Sequence, residues 1–298
     1  MVEYEKHKSS DPHLSELGDA QARRCGDWIR AYLRSMDFLP EEGCRVELVS
    51  SPMERALRTA EALTSALEGK VDVWTDVHET KGCWNGKVSL PGRGASELLA
   101  AMGGERFRNS EAAPVSEAGW WTDGDGRTKD KETEAQSCER ARVVARRLRA
   151  QALAADAPTV KIIVTHGNWM SLLLQALLFP GGDINMAIGL VKHDNTAATA
   201  VVLPGSSGPD GGCPALVQLN RSEHLDAEPV LARTRQNITL TGFGTDGRRP
   251  AGWMTPPEEE ETAAAPGSGT LCGAMAVGSA LFVLARSKGM TQWLVPVD

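Results

Sequence analysis

The clearest pattern of apolar and polar positions lies around residue 166. The β-branched run from Val160 to Val164 predicts a short buried strand. Thr165-His166-Gly167 follows as a polar turn, and the mostly apolar positions from 169 to 178 predict a buried helix. His166 would then lie at the carboxyl end of a strand and beside a helix N-terminus, where open α/β sheets bind ligands. Taken alone, a histidine in this place is more often a hydrogen-bonded structural residue.

A second strand-and-helix pattern lies earlier in the chain. The strand predicted over 46–49 leads into Ser51, a candidate N-cap, with Pro52 suited to the first helical position and Glu54 completing a capping box. Arg55 falls in the first turn, and Arg58 follows one turn later on the same side. A cation there opposes the helix dipole, which is reasonable if the site binds a phosphate. Arginine pairing with Glu54 or Glu61 explains the pattern equally well.

The rest of the first 225 residues alternates between strand and helix patterns. Ser15 is a candidate N-cap for a helix ending near Met36. We further predict a helix over 133–154 and strands over 71–74, 198–203 and 215–219. Residues 88–130 are rich in Gly and Pro, with one helix-like piece over 95–102, and such a long insertion is typical of a lid or the wall of a pocket.

The chain changes character after residue 225. Residues 226–268 lack periodicity and carry acidic and proline-rich runs, which predict a disordered linker. Residues 269–285 are uncharged, and within the apolar segment 269–298 they favour a buried or loosely associated helix. A weak membrane tail anchor is the alternative, because this length is at the lower limit for crossing a bilayer.

Composition narrows the classes of function. The formal charge of −7 argues against nucleic-acid binding, and 41% apolar residues are ordinary for a globular protein. The six cysteines show no metal-ligand spacing, so we expect reduced thiols, no metal site and no cofactor. The N-terminus has no apolar signal segment, and we expect a cytoplasmic protein.

Several motifs occur in an order that resembles a known family. Strand–Ser-Ser-Pro-x-x-Arg-Ala-x-x-Thr-Ala-Glu is followed by a loop glutamate and then by strand–Thr-His-Gly–helix. Asp11-Pro-His-Leu-Ser-Glu-Leu-Gly18 and the later Asp194-Asn195-Thr196 are similar to further family segments. The chain resembles the histidine phosphatase superfamily, with its phosphoglycerate mutase-like fold, over 11–225. This implies an α/β fold of three layers, a mostly parallel sheet flanked by helices, within a domain over 1–225.

The resemblance implies phosphoryl transfer through a phosphohistidine. Arg55 matches an arginine that binds the phosphate, His166 matches the second histidine, which binds phosphate and takes part in catalysis, and Glu79 matches the acid that protonates the leaving group. The substrate would be the phosphomonoester of a small metabolite or a phosphoprotein.

The nucleophilic histidine of the family is missing from its expected place. In the family it follows an arginine in an Arg-His-Gly triplet that ends the first strand, and neither His7 nor His13 ends a strand here. We therefore expect the first strand to be missing from the middle of the sheet, which would expose its neighbours' edges. Either a shortened gene model or a degenerate member explains this. The chain as written is expected to be inactive; a non-catalytic pseudophosphatase and a phosphoglycerate mutase-type phosphotransferase are the alternatives.

Overall fold

The fold is built on one seven-stranded sheet. The computed structural model describes residues 11–187, 193–205 and 213–226, and the backbone of 279–285. The helices are α1 (Glu16–Ser35), α2 (Glu54–Leu67), α3 (Ala95–Ala101), α4 (Glu134–Ala154) and α5 (Gly167–Leu178). The strands are β1 (Arg45–Ser50), β2 (Val71–Val73), β3 (Phe107–Asn109), β4 (Thr159–Thr165), β5 (Ala198–Leu203), β6 (Ala215–Arg221) and β7 (Ser279–Ala285).

Four neighbouring strands, β3, β2, β1 and β4, run parallel. Strand β1 pairs with β4 in a register that places Ser50 opposite Val164. Because parallel strands end at the same edge, the loop after β1 and the turn after β4 lie side by side. This edge is where the two predicted strand–turn–helix units meet.

Helices cover both faces of the sheet, as expected for a three-layer α/β fold. Strand β4 shows how the layers form: Val160, Ile162 and Val164 belong to one apolar cluster, and Ile163 belongs to the other. The first cluster contains α1 and α2, and the second contains α4 and α5. Successive side chains of this buried strand point to opposite faces of the sheet, so each face packs against its own pair of helices.

The insertion after β2 is packed against the core. It includes α3 and the short strand β3, which extends the sheet and was not predicted. The indoles of Trp120 and Trp121 are buried against Gly92 and Gly82, where an added Cβ would lie 2.2 and 2.3 Å from a ring atom. Both glycines have positive φ, so only glycine combines this turn with this close approach. These contacts hold the insertion against the core of the domain.

Strand β7 lies between β4 and β5, in the middle of the sheet. It runs antiparallel to β4 and parallel to β5, with Phe282 opposite Ile162 on one side and Ala200 on the other. The edges that we expected to be exposed are thus covered by a strand from far along the sequence.

The helix favoured for 269–285 is wrong over 279–285, where β7 forms. A short apolar run without clear periodicity fits a buried strand as well as a buried helix, and two unpaired strand edges favour the strand. Residues 269–278, and the linker expected over 226–268 except Asp226, lie outside the described residues. In the described part of the chain, no helix is both long and apolar enough to cross a membrane.

Candidate functional site

The two strand–turn–helix units meet in a buried hydrogen bond at the carboxyl edge of the sheet. The Nε2 atom of His166 lies 2.8 Å from the Oγ atom of Ser51, and the His166 side chain is nearly fully buried, with 2% of the residue exposed. The backbone N–H of Ser51 also donates to the carbonyl of Val164 at 3.0 Å. Ser51 is therefore a partner of the site histidine, a role that its place in the Ser-Ser-Pro motif did not indicate.

The predicted capping box at the start of α2 is wrong. The helix begins at Glu54, and the carboxylate of Asp11 accepts its backbone N–H at 2.8 Å, while Ser51 Oγ accepts the N–H of Met53 at 3.2 Å. Glu54 is buried and pairs with Arg93, whose Nη2 lies 2.7 Å from Oε2, and with His13. A buried carboxylate needs charged partners, which a local capping pattern does not supply.

Arg55 and Arg58 have different surroundings. Arg58 forms ion pairs with both glutamates, its Nη1 lying 3.1 Å from Glu61 Oε2 and its Nε lying 3.9 Å from Glu54 Oε1. Arg55 is buried, with 7% of the residue exposed, and its Nε has no hydrogen-bond partner among the described residues. A buried donor without an acceptor is unfavourable, so a ligand oxygen would stabilise this guanidinium.

Glu79 lies at the same edge, in the loop that follows β2. Its Oε1 accepts the backbone N–H of Trp169, in the first turn of α5, at 3.1 Å and that of Thr80 at 2.8 Å. Burial lowers the pKa of Arg55, and the negative charges of Glu79 and Asp11 oppose this shift. The structure thus places Arg55 within electrostatic range of both other predicted residues, Glu79 and His166.

The His166 imidazole is held neutral. Burial lowers its pKa well below the usual 6.5, and the positive charges of Arg55 and Arg140 lower that pKa further. A neutral ring carries one donor and one acceptor nitrogen, so it can form a hydrogen bond with Ser51 or with a ligand oxygen. A phosphate dianion bound nearby would raise the pKa of the ring, because its negative charge favours the protonated imidazole.

No sequence pattern indicated a role for His78 or Arg140, although the two residues contact each other directly beside Glu79. His78 is buried against Trp120 and Trp121, with ring centroids 5.4 and 5.0 Å away. Its position directly before Glu79 was the only signal in the sequence. Arg140 comes from the second turn of α4, and nothing in the local pattern of that charged helix distinguishes it from its neighbours.

A further buried imidazole provides a test of the electrostatics. Burial lowers the pKa of His193 to about 4, against an unfolded value near 6.5, and the backbone of Gly167 opposes this shift. Between these pH values only the unfolded chain binds the proton, so stability falls as the pH falls below 6.5.

We predict that His193→Gln removes this dependence. The difference in unfolding free energy between wild type and variant should decline by about 1 kcal/mol per pH unit from pH 6 to pH 4.5. Urea denaturation at four pH values measures it. A constant difference would show that His193 is protonated equally in both states.

A cavity lies close to this group of three residues, but Arg55, Glu79 and His166 do not line it. No cluster of three or more His, Cys, Asp or Glu side chains suited to a metal ion occurs in the described part of the chain. A cavity of about 450 Å³ lies outside the grouping, between α1 and α2. It is lined by His13, Leu14, Asp19, Arg23, Arg58, Glu61, Ala62, Ser65 and Arg106.

The described strands and helices form an α/β domain of three layers with a mostly parallel sheet. The chain belongs to the histidine phosphatase superfamily, branch 1, whose family model matches residues 2–208. This confirms the family and the fold class that the motifs indicated, and it makes the protein phosphatase-like.

Other comparisons add little. A solved structure similar to this chain is a mycobacterial glucosyl-3-phosphoglycerate phosphatase in complex with inorganic phosphate. It is 22% identical, with a TM-score of 0.41, and the match covers 72% of this chain and 90% of that one. Curated protein sequences give no match.

Proposed function

We propose that the carboxyl edge of the sheet binds the phosphoryl group of a phosphomonoester. The observation that supports this best is the buried Arg55 guanidinium, whose Nε has no hydrogen-bond partner in the part of the chain that the structure describes, and which lies within electrostatic range of a neutral His166. Buried cationic donors at a helix N-terminus favour an oxyanion, and their hydrogen bonds to it are charge-assisted. The ligand would be a small phosphorylated metabolite or a phosphoprotein.

The reaction class that this site fits is phosphoryl transfer through a phosphohistidine. Arg55 and His166 would hold the equatorial oxygens, where charge develops in the transition state, and each such donor contributes roughly 3 kcal/mol in comparable sites. Glu79 would donate a proton to the leaving alkoxide. Its carboxylate is held by Trp169 at the N-terminus of α5.

The strand beside β4 supplies no nucleophile of this kind. Strand β7 has the sequence Ser-Ala-Leu-Phe-Val-Leu-Ala, without histidine, and runs opposite to β4. We therefore expect residues 1–298 to bind phosphate esters with little or no turnover. The same observation favours a second candidate function, that of a non-catalytic protein that binds a phosphate ester. A mutase would also need contacts for the carboxylate of its substrate, and we assign none to this chain.

The test is an assay of p-nitrophenyl phosphate with purified residues 1–298, accompanied by titration of inorganic phosphate. We expect phosphate binding and a hydrolysis rate that His166→Ala does not change. A clear rate that His166→Ala abolishes would overturn the expectation of low turnover and support a working phosphatase. Absence of phosphate binding would contradict the proposed site itself.

A further inference from the structure

Arg140 forms the centre of a buried ionic cluster that the proposed mechanism does not use. Its Nε and Nη2 atoms donate to the two carboxylate oxygens of Glu132, at 2.7 and 2.8 Å. The side chain of Arg140 is 11% exposed and that of Glu132 is 4% exposed. Ser137 adds a hydrogen bond to the same carboxylate at 2.6 Å. Arg140 and Glu132 thus form a bidentate ion pair with a fixed orientation, largely shielded from solvent.

The pair holds the backbone on both sides of Glu79. The Nη1 atom of Arg140 donates to the carbonyl oxygens of Asp76, at 3.1 Å, and His78, at 2.9 Å. On the other side, the backbone N–H of Glu132 donates to the carbonyl of Lys81 at 3.3 Å. The peptide that carries Glu79 is therefore tied down before and after the residue.

Arg140 also contacts the residue that binds the Glu79 carboxylate. Its guanidinium lies over the indole of Trp169, 5.0 Å from the ring centroid. The backbone N–H of Trp169 donates to Glu79 Oε1 at 3.1 Å. The Arg140 guanidinium thus contacts both the backbone next to Glu79 and the residue whose N–H donates to the Glu79 carboxylate.

We infer that Arg140, together with Glu132, is a positioning residue that fixes the Glu79 carboxylate against the N-terminus of α5, beside His166. The inference rests on the proposed function for the purpose of that carboxylate, but the positioning can be measured without turnover. The planar fork of arginine is essential, because it makes two parallel bonds to Glu132 and still reaches two carbonyls. Lysine has the charge but lacks the fork.

The simpler alternative is that the pair only attaches α4 to the rest of the domain. In that case its removal would change stability and leave Glu79 bonded to Trp169. A readout specific to Glu79 separates the two explanations. The Trp169 amide provides one, because its proton is donated to that carboxylate and its chemical shift should follow the ionisation of Glu79.

The experiment is a pH titration of protein labelled with ¹⁵N-tryptophan. The chain has eight tryptophans, so the spectrum contains few backbone resonances, and Trp169→Phe assigns the one required. Subtracting the titration of the Glu79→Gln variant leaves the part of the Trp169 shift that depends on Glu79. That amplitude is the quantity compared between variants.

Two variants remove the clamp in different ways. The double variant Glu132→Leu/Arg140→Met removes both charges, so that no buried charge is left unpaired, and Arg140→Lys keeps the charge without the fork. We expect the Glu79-dependent amplitude to fall at least threefold in both. Arg146→Met, on the exposed side of α4 where Arg146 pairs with Glu139, is the matched control and should keep the full amplitude.

A full amplitude in either folded clamp variant would overturn the inference. Titration of inorganic phosphate into the same wild-type sample tests the proposed function separately. If phosphate does not bind but the clamp variants lose the Glu79 signal, the proposed function fails and the positioning role of Arg140 stands. If phosphate binds and the Glu79 signal is unchanged in the variants, the positioning role fails alone.

Discussion

Phe282→Pro is expected to lower the unfolding free energy of the domain by about 1–3 kcal/mol, because it leaves a buried carbonyl of the neighbouring strand without its hydrogen bond. Phe282 lies in the middle of β7, opposite Ile162 of β4 and Ala200 of β5, so it is flanked by strands on both sides. Proline cannot donate a backbone hydrogen bond, and its ring does not fit a central strand. Such a loss is a large fraction of the stability of an ordinary domain.

Urea denaturation monitored by circular dichroism measures this effect. Phe282→Leu is the control, because leucine keeps the backbone N–H and differs only in the side chain. The proline variant should unfold at much lower urea than the leucine variant. If the two variants unfold together, β7 does not occupy the centre of the sheet, and β4 and β5 are joined in another way.

Arg55→Ala is expected to weaken the binding of inorganic phosphate at least 30-fold. Removing one member of a buried, hydrogen-bonded charge pair costs about 2–5 kcal/mol, which corresponds to this factor or more. The large effect follows from burial: the Arg55 guanidinium is 7% exposed, and Glu79 and Asp11 are the opposite charges that act on it. Calorimetric titration of phosphate into each purified variant measures the dissociation constants.

Arg58→Ala is the matched control for that prediction. Arg58 lies one turn later on α2, is partly exposed and pairs with Glu61 and Glu54. Its removal should change phosphate affinity less than threefold, because its closer pair, with Glu61, is open to solvent and such pairs are weak and screened. Equal losses in the two variants would mean that phosphate binds through the general charge of the helix, without a specific contact to Arg55.

Local patterns predicted much of the fold and the central part of the site. The β4 strand, the turn at His166 and helix α5 follow from a run of residues that is buried on all sides, which makes the apolar signal strong. The motif order also identified Arg55, Glu79 and His166 as one group, and the structure brings them together. Their roles in binding and catalysis remain proposals.

Long-range contacts explain what the sequence could not predict. Glu54 suited a capping box, yet its buried carboxylate pairs with Arg93 from the insertion, a residue far away in sequence. Arg140 is one of several arginines on α4, and only its position against Glu132 and Trp169 distinguishes it. Strand β7 is determined by two unpaired strand edges rather than by its own periodicity.

The most direct test of the account is a crystal structure of the protein grown with tungstate, a phosphate analogue that is easily located. We predict one tungstate at the carboxyl edge of the sheet, within hydrogen-bond distance of both the Arg55 guanidinium and the His166 imidazole. A tungstate bound only in the cavity lined by Arg23, Arg58 and Arg106, with Arg55 and His166 contacting no common anion, would contradict it.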